Sequence, residues 1–422
     1  MKVVGIVAEY NPFHLGHEYQ LRYAKETLGA DYCIVVMSGP FTQRGTPALF
    51  DKYTRASHAL ACGADLVLEL PVIYATASAE AFALGAVSVL ENTGIVDTLL
   101  FGCEADDITP LKEIASLLVS EQDDYKKALL AELANGKAFA EARAIALNHP
   151  EYASLINTPN NILAVEYLKA LKRLNSSIEP IGLKRKGSGY HDETLQSPMA
   201  SATAIRKAIF AKDDFLFRED PGEFLQQIPL ALQDAIVHKL QEKEYLSQED
   251  PSLLVHYALM KANNFSNYVD CSKELSNKIL RSRHQYASFD SFCQRLKSKD
   301  IAYARVSRVL CHILLGIQND MFPTKNTLAT PSRIAPYLRI LGFSNTGRSL
   351  LPIMKERSSV PILTTPKEAE KQLDHEALSI LQKDIFASDV YRMLLSEKTG
   401  CVYPNEFTRK FTPLQNTKSP DE

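Results

Sequence analysis

Apolar and polar positions along the first hundred residues alternate between two kinds of run. Val3–Ala8 is almost wholly apolar; the polar and aromatic stretch EYNPFHLGH follows it, and Glu18–Leu28 then shows helical spacing. DYCIVVMSG reads as a buried strand stopped by Ser38-Gly39, and PFTQRGTPALFDKYTRASHALACGA is helical in its second half. DLVLELP is a third strand, Glu80–Asn92 a helix and VDTLLFGC a fourth strand. Continuous apolar strands separated by helices predict a parallel sheet covered on both faces, an α/β fold. On such a sheet ligands collect at the carboxyl ends of the strands, where EYNPFHLGH, SGPFTQRG and GCEADD fall.

Further along, residues 110–175 are mostly helical, with EIASLLVS and NILAVEYLKALKRL the clearest pieces. IEPIGLKR is a late strand and GSGYHDETLQSP a loop. SATAIRKAIFAK opens a helix that Ser201 or Thr203 can cap, with Ile205, Ala208 and Ile209 on its apolar face. The pattern changes near Asp220-Pro221-Gly222. Beyond it the chain is chiefly helical, as in LALQDAIVHKLQEK and RVSRVLCHILLGIQ, with one strand near VPILTTP. Two domains are therefore expected, residues 1–220 and residues 221–422.

Composition narrows the class. The 422 residues are 45% hydrophobic and 23% charged, ordinary for a globular chain. No run approaches the roughly 18 apolar residues of a spanning helix, so no membrane is expected. The N-terminus starts directly as a strand, without a signal peptide's apolar region. Seven cysteines without a C-x-x-C pair suit reduced thiols in a cytoplasm and supply no zinc site. The net charge of −3 hides a segregation: Cys271–Val360 holds 15 Lys+Arg against 5 Asp+Glu, a local +10, which leaves −13 elsewhere. Either a polyanion binds the later part, or the protein's basic and acidic faces pair with each other.

Candidate chemistry concentrates in NPFHLGH. His14 and His17 flank Gly16 between a strand and a helix. Gly16 lets backbone approach a ligand closely, and the helix start favours phosphate. Two imidazoles there could donate hydrogen bonds to charge building on an α-phosphate. A metal pair fits less well, since no third ligand lies at a convincing spacing; two polar residues at a turn is the plain alternative. SATAIR, with Ser201, Thr203 and Arg206, makes a second phosphate-binding element. In SGPFTQRG, Arg44 beside Gln43 could hold pyrophosphate or an acyl carboxylate. Lys52 and Arg55 either line the same crevice or are solvated, the latter preferred. His58, His149 and His312, with Cys33, Cys62, Cys103 and Cys311, read as structural. Asp106 and Asp107 serve either magnesium or a polar loop. In the basic segment Arg281, Arg283, Arg295, Lys297 and Lys299 cluster, and Arg305 and Arg308 share a helix face. Tyr286, Tyr303 and Tyr337 among them could stack on unpaired bases, or fill a core.

NPFHLGH followed by SATAIR resembles the H-x-G-H nucleotidylyltransferase superfamily. Taken with VMSGPFTQRGTPALFDKYTRASHAL, ADLVLELP, LLFGCE, PNNILAVEYLKAL and KRKGSGYHD in that order, the chain resembles the tRNA(Met) cytidine acetate ligase family over nearly its whole length. The resemblance implies a Rossmann-like parallel sheet of the nucleotidylyltransferase type, followed by a mainly helical, basic, tRNA-binding domain. It implies a cytoplasmic ligase that activates acetate with ATP, with Mg2+ beside it, as acetyl-adenylate. The acetyl group would then pass to N4 of the wobble cytidine of elongator tRNA(Met). Carried over residue by residue, it puts Ile6, Val7, Ala8, Glu9, Tyr10, Asn11, Pro12, Phe13, His14, Leu15, Gly16, His17, Glu18 and Tyr19 around the ATP. Gly102, Asn161, Arg185, Lys186, Ser201 and Thr203 complete the site, with Asn160 an equal candidate to Asn161. Catalysis would fall to His14, His17 and Arg44, and RNA binding to Arg281, Arg283, Arg305 and Arg308. The superfamily's late motif usually reads I-S-S-T-x-I-R; here Ala202 removes one hydroxyl. A nucleotidylyltransferase of a small metabolite would share the first half, and the extra basic segment speaks against it.

Overall fold

A computed structural model describes residues 1–120, 123–135, 137, 142, 145, 146, 152, 155, 156, 158–185, 199–211, 222–323 and 329–409. Seven strands within them form one sheet: β1 (Val3–Ala8), β2 (Tyr32–Ser38), β3 (Leu66–Leu70), β4 (Thr98–Cys103), β5 (Glu179–Lys184), β6 (Leu338–Phe343) and β7 (Ile362–Leu363). Their order is β5-β4-β1-β2-β3-β6-β7. All neighbours run parallel except β3 and β6. The chain thus builds outward from β1 through β2 to β3, then returns to the other side of β1 with β4 and β5. That reversal puts the switch point of the sheet between β1 and β4.

The strand pleat sorts the apolar side chains into two cores. Val3, Ile34, Val36, Leu66 and Leu68 face one side of the sheet. Val4, Ile6, Cys33, Val35, Met37 and Val67 face the other. Helices α1 (Leu15–Arg22) and α2 (Lys52–Ala61) belong to the second side; α3 (Ala79–Asn92), α4 (Thr109–Ser120) and α5 (Pro159–Arg173) belong to the first. This is why the strands carry unbroken apolar runs instead of alternating ones. α1 ends at Arg22 and passes into one π-helical turn, Tyr23–Thr27, within the helix expected over Glu18–Leu28. α6 (Ala202–Phe210) is capped by Ser201, whose hydroxyl accepts from Ala204 N–H.

The second half divides differently from the expectation. Four helices, α7 (Ser252–Lys261), α8 (Lys273–Ser282), α9 (Phe289–Leu296) and α10 (Tyr303–Leu315), enclose a small core of their own, including Leu259, Phe265, Ile279, Phe292 and Val309. The chain then returns to the sheet as β6 and β7, and the long helix α11 (His375–Thr399) packs into the first core. β7 is the strand expected near VPILTTP; β6 was not foreseen. Arg339 interrupts its apolar run, yet is buried, because Glu406 pairs with it at 3.0 Å. The expected boundary near residue 220 falls outside the described residues.

α10 joins the helical unit to the sheet. Ser307 Oγ donates to Arg44 O at 2.6 Å, and His312 Nε2 sits 2.9 Å from Thr76 O. Gly45 has φ +72°, and a Cβ there would lie 2.5 Å from Arg308 N, so only glycine lets this loop close on the helix.

Candidate active site

A cleft opens at the carboxyl ends of β1, β4 and β5, on the switch point. Val7 and Ala8, Phe101 and Gly102, and Leu183, Lys184 and Arg185 line it from the strand ends. His14, Gly16, His17, Tyr19 and Gln20 line it from the loop and first turns after β1, and Asn160, Leu163 and Tyr167 from α5. Met199 and Ala200, just before α6, complete the wall.

The two histidines are fixed by the helix they open. His14 is the N-cap residue of α1: its Nδ1 accepts from Gly16 N–H at 3.0 Å, and His17 Nδ1 accepts from His14 N–H at 3.3 Å. The rings stack with centroids 3.8 Å apart, and Tyr10 and Phe13 pack at 4.8 and 5.5 Å from His17. Burial, followed by the charges of Arg185 and Arg206, holds the His14 imidazole down at about 3. Burial, then His14 and Arg185, pushes His17 well below the ordinary histidine range. Both rings are therefore neutral at pH 7. A neutral imidazole whose Nδ1 accepts carries its proton on Nε2. Each histidine thus keeps one N–H donor to offer a ligand.

The two sequence motifs meet in space. Arg206, one turn into α6, donates to Asn11 O in the NPFHLGH loop and from its other nitrogen to Thr203 Oγ1 at 3.4 Å. Asn11 Oδ1 accepts from Leu49 N–H at 2.7 Å and fixes the loop from the other side, where the Asn11-Pro12 peptide is cis. Arg185 is placed by β5: its N–H donates to Cys103 O and its stem runs past Gly102.

Several expected site residues lie elsewhere. Asn161 is buried, and its Oδ1 accepts from Glu104 and Ala105 N–H; Asn160 is the amide that lines the cleft. Ser201 caps α6 and Thr203 pairs with Arg206, so neither hydroxyl lines the cleft. Ile6, Tyr10 and Phe13 are core side chains, and Glu9 Oε1 accepts from Gln43 N–H. Pro12, Leu15 and Glu18 do not line it either. Arg44 does not line the cleft, and its backbone carbonyl accepts from Ser307 Oγ on α10. Lys186 lies outside the described residues. Gln20, Lys184, Met199 and Ala200 went unread; Gln20 follows His17 at i+3, a helical spacing that could have found it.

The basic residues of the second half also separate. Arg305 Nε donates to Asp270 O, and Arg308 Nε pairs with Asp270 Oδ2, both at 3.0 Å. Arg283 donates to Leu259 O and Ala262 O, closing the end of α7. These three are tied into the helical unit, whereas Arg281 and Arg295 are exposed. Tyr337 is buried against Asp384, and Tyr303 donates to Asp290; Tyr286 is half-buried and stacks on His256.

Lys52 and Arg55, expected in solvent, are buried. Arg55 donates to the carbonyls of Glu9, Ser38, Gly39 and Phe50, and so ties together the loops after β1 and β2. Lys52 bridges Glu69 at 2.8 Å and Glu406 at 3.2 Å. Burial raises Glu69; Glu406 feels the same burial, but Lys52 and Arg339 outweigh it and bring its carboxyl to about 2. His58, His312, Cys33, Cys103 and Cys311 are buried as expected, and Cys62 partly so. His149 lies outside the described residues. Asp107 accepts from Thr109, and Asp106 pairs with Lys184. Among the described residues no group of three His, Cys, Asp or Glu could hold a metal ion, and no helix is long and apolar enough to cross a membrane.

Residues 1–402 match the model of a family described as HIGH Nucleotidyl Transferase. A tRNA(Met) cytidine acetate ligase of Thermoanaerobacter sp. is 39% identical over 397 residues, covering 93% of this chain and 95% of the relative. The chain belongs to the tRNA(Met) cytidine acetate ligase family. A relative of the same name from Clostridium perfringens is 37% identical over 407 residues, covering 93% of this chain and 96% of its own. Two crystal structures of Thermotoga maritima TmcAL extend the likeness to three dimensions. The apo form superposes with a TM-score of 0.88 at 30% identity, covering 98% of this chain and all of that one. The form bound with alpha-thio ATP gives 0.85 at 32%, covering 94% and 96%. The family therefore carries the α/β sheet and helical later half seen here, and at least one structurally similar member holds an ATP analogue.

Proposed function

We propose that this chain is an ATP-dependent ligase. It activates acetate as acetyl-adenylate and passes the acetyl group to N4 of the wobble cytidine of elongator tRNA(Met). The observation that carries the reading is the pair of neutral Nε2–H imidazoles sharing a switch-point cleft with Arg185, in a chain of this family.

The chemistry needs stabilised charge more than it needs a base. An acetate oxygen attacks the α-phosphorus, and negative charge grows on the phosphate oxygens and on departing pyrophosphate. His14 and His17 donate to that charge from fixed rings, and Arg185 supplies a cation on the same cleft. A neutral ring suits this role, because it donates without first having to lose or gain a proton. Arg206 acts from behind, holding Asn11 and hence the loop that carries both histidines. Magnesium we place with the nucleotide phosphates, as part of the substrate. In the second step the cytidine amine attacks the acetyl carbonyl and AMP leaves. An anticodon-loop base reaches the cleft at little cost, because it is already unpaired.

We assign the nucleotide chemistry to the sheet unit, whose cores take in described residues up to Leu246 and again within residues 331–409. The helical unit of residues 252–315 carries the exposed cations that meet RNA. Acetate-dependent exchange of labelled pyrophosphate into ATP tests the first step. Exchange only with another acid or phosphate substrate would point to a small-metabolite enzyme instead. N4-acetylcytidine in tRNA from cells lacking the gene tests the whole reading: an undiminished amount sinks it.

A further inference from the structure

Glu104 lies one residue beyond the end of β4 and does not line the cleft, yet its carboxylate is fully engaged. Oε2 accepts from Thr158 Oγ1 and from Asn161 N–H, each at 3.0 Å, and Oε1 accepts from the Asn160 amide. The first two contacts satisfy donors at the start of α5, a capping role that a carboxylate fills well. The third has no capping purpose. It fixes the Asn160 side chain so that its Oδ1 faces the guanidinium of Arg185, which donates to it at 3.0 Å. Through one N–H the Asn160 amide donates to Glu104, and its oxygen accepts from Arg185.

The Arg185 side chain is exposed, and a free arginine loses considerable rotamer entropy when a ligand orders it. Here the stem runs past Gly102, Cys103 O receives the backbone N–H, and Asn160 sets the direction of the fork. All of these stand on β4, the turn after it, or the helix Glu104 caps. We infer that Glu104 is a positioning residue for the nucleotide: acting through Asn160, it pre-orders the Arg185 guanidinium on the cleft that holds His14 and His17. A guanidinium already aimed at a phosphate binds it with less ordering cost than one that must be captured.

The inference rests on the nucleotide reading given above, and the two can fail separately. Binding of α,β-methylene ATP to the full chain is measured by titration calorimetry, for Glu104→Gln and Asn160→Ala, each alone and with Arg185→Ala. Glu104→Gln keeps the shape but cannot accept from all three donors; Asn160→Ala leaves the carboxylate on Thr158 and Asn161 and removes the relay together with a cleft-lining amide, which the Arg185→Ala background separates. Each single change should weaken binding about tenfold, and by less than about twofold once Arg185 is alanine. Thermal unfolding should fall for Glu104→Gln and hold for Asn160→Ala. Unchanged affinity in both single variants overturns the inference, and so does an equal loss whether or not Arg185 is present. A wild-type chain that does not bind the nucleotide overturns the underlying reading, and the inference with it.

Discussion

Lowering the pH from 7 to 5 should destabilise the ligand-free fold by about 2 kcal/mol through His14 alone. The His14 ring titrates near 3 in the fold because it is buried, with Arg185 and Arg206 adding to the effect, whereas its ordinary value is 6.5. Below 6.5 the unfolded chain takes up a proton that the folded chain refuses. The stabilising effect is thus complete above 6.5 and is lost as pH falls towards 3, at about 1.4 kcal/mol per pH unit. Integrated from pH 7 to 5, that comes to the figure given. His14→Gln removes the titration and keeps an acceptor for Gly16 N–H. The chain has no tryptophan, so urea unfolding is followed by far-ultraviolet circular dichroism at both pH values. The gap between wild type and variant should shift by about 2 kcal/mol between the two. A gap independent of pH would refute the burial of a neutral ring. Saturating ATP should shrink the effect, since phosphate charge beside the ring favours its protonated form.

Three further outcomes follow from the same geometry. His17→Ala should lower acetate-dependent pyrophosphate exchange by about 10²–10³-fold, the loss typical of one charge-stabilising donor, while a gel-shift titration finds tRNA affinity unchanged. Lys52→Met should cost about 3–5 kcal/mol in chemical denaturation, because it leaves Glu69 and Glu406 buried together with Arg339 as the remaining cation; a loss under about 1 kcal/mol would show the network to be solvated. Arg281→Glu with Arg295→Glu should weaken tRNA binding and flatten its salt dependence with no change in melting temperature. Arg308→Glu should instead lower the melting temperature, since it meets Asp270 at 3.0 Å.

The parallel strands β1 to β5 and the NPFHLGH loop after β1 were legible because local signals agree there. Apolar runs of strand length, each closed by a polar or glycine-bearing turn and followed by helical spacing, admit few other folds. β6 was not legible. Arg339 in its middle reads as polar until Glu406, 67 residues later, is known to neutralise it. Lys52 and Arg55 failed for the same reason: a charge is placed in solvent by default, and only its partners can bring it inside. Arg305 and Arg308 were correctly put on one helix face, but sequence did not show that both also meet Asp270.

By itself the sequence determined the class of fold, the place of the candidate chemistry on it, and the family. Those depend on the order of residues along the chain: strand, NPFHLGH, helix, and much later SATAIR. Tertiary structure decided the assignments within the site. It set Asn160 rather than Asn161 on the cleft and turned Ser201 and Thr203 to capping and pairing. It also made both histidines neutral donors, because their protonation depends on burial and on Arg185 and Arg206, groups that only folding brings near. Side-chain direction and local polarity arise from residues distant in sequence, and no reading along the chain supplies them.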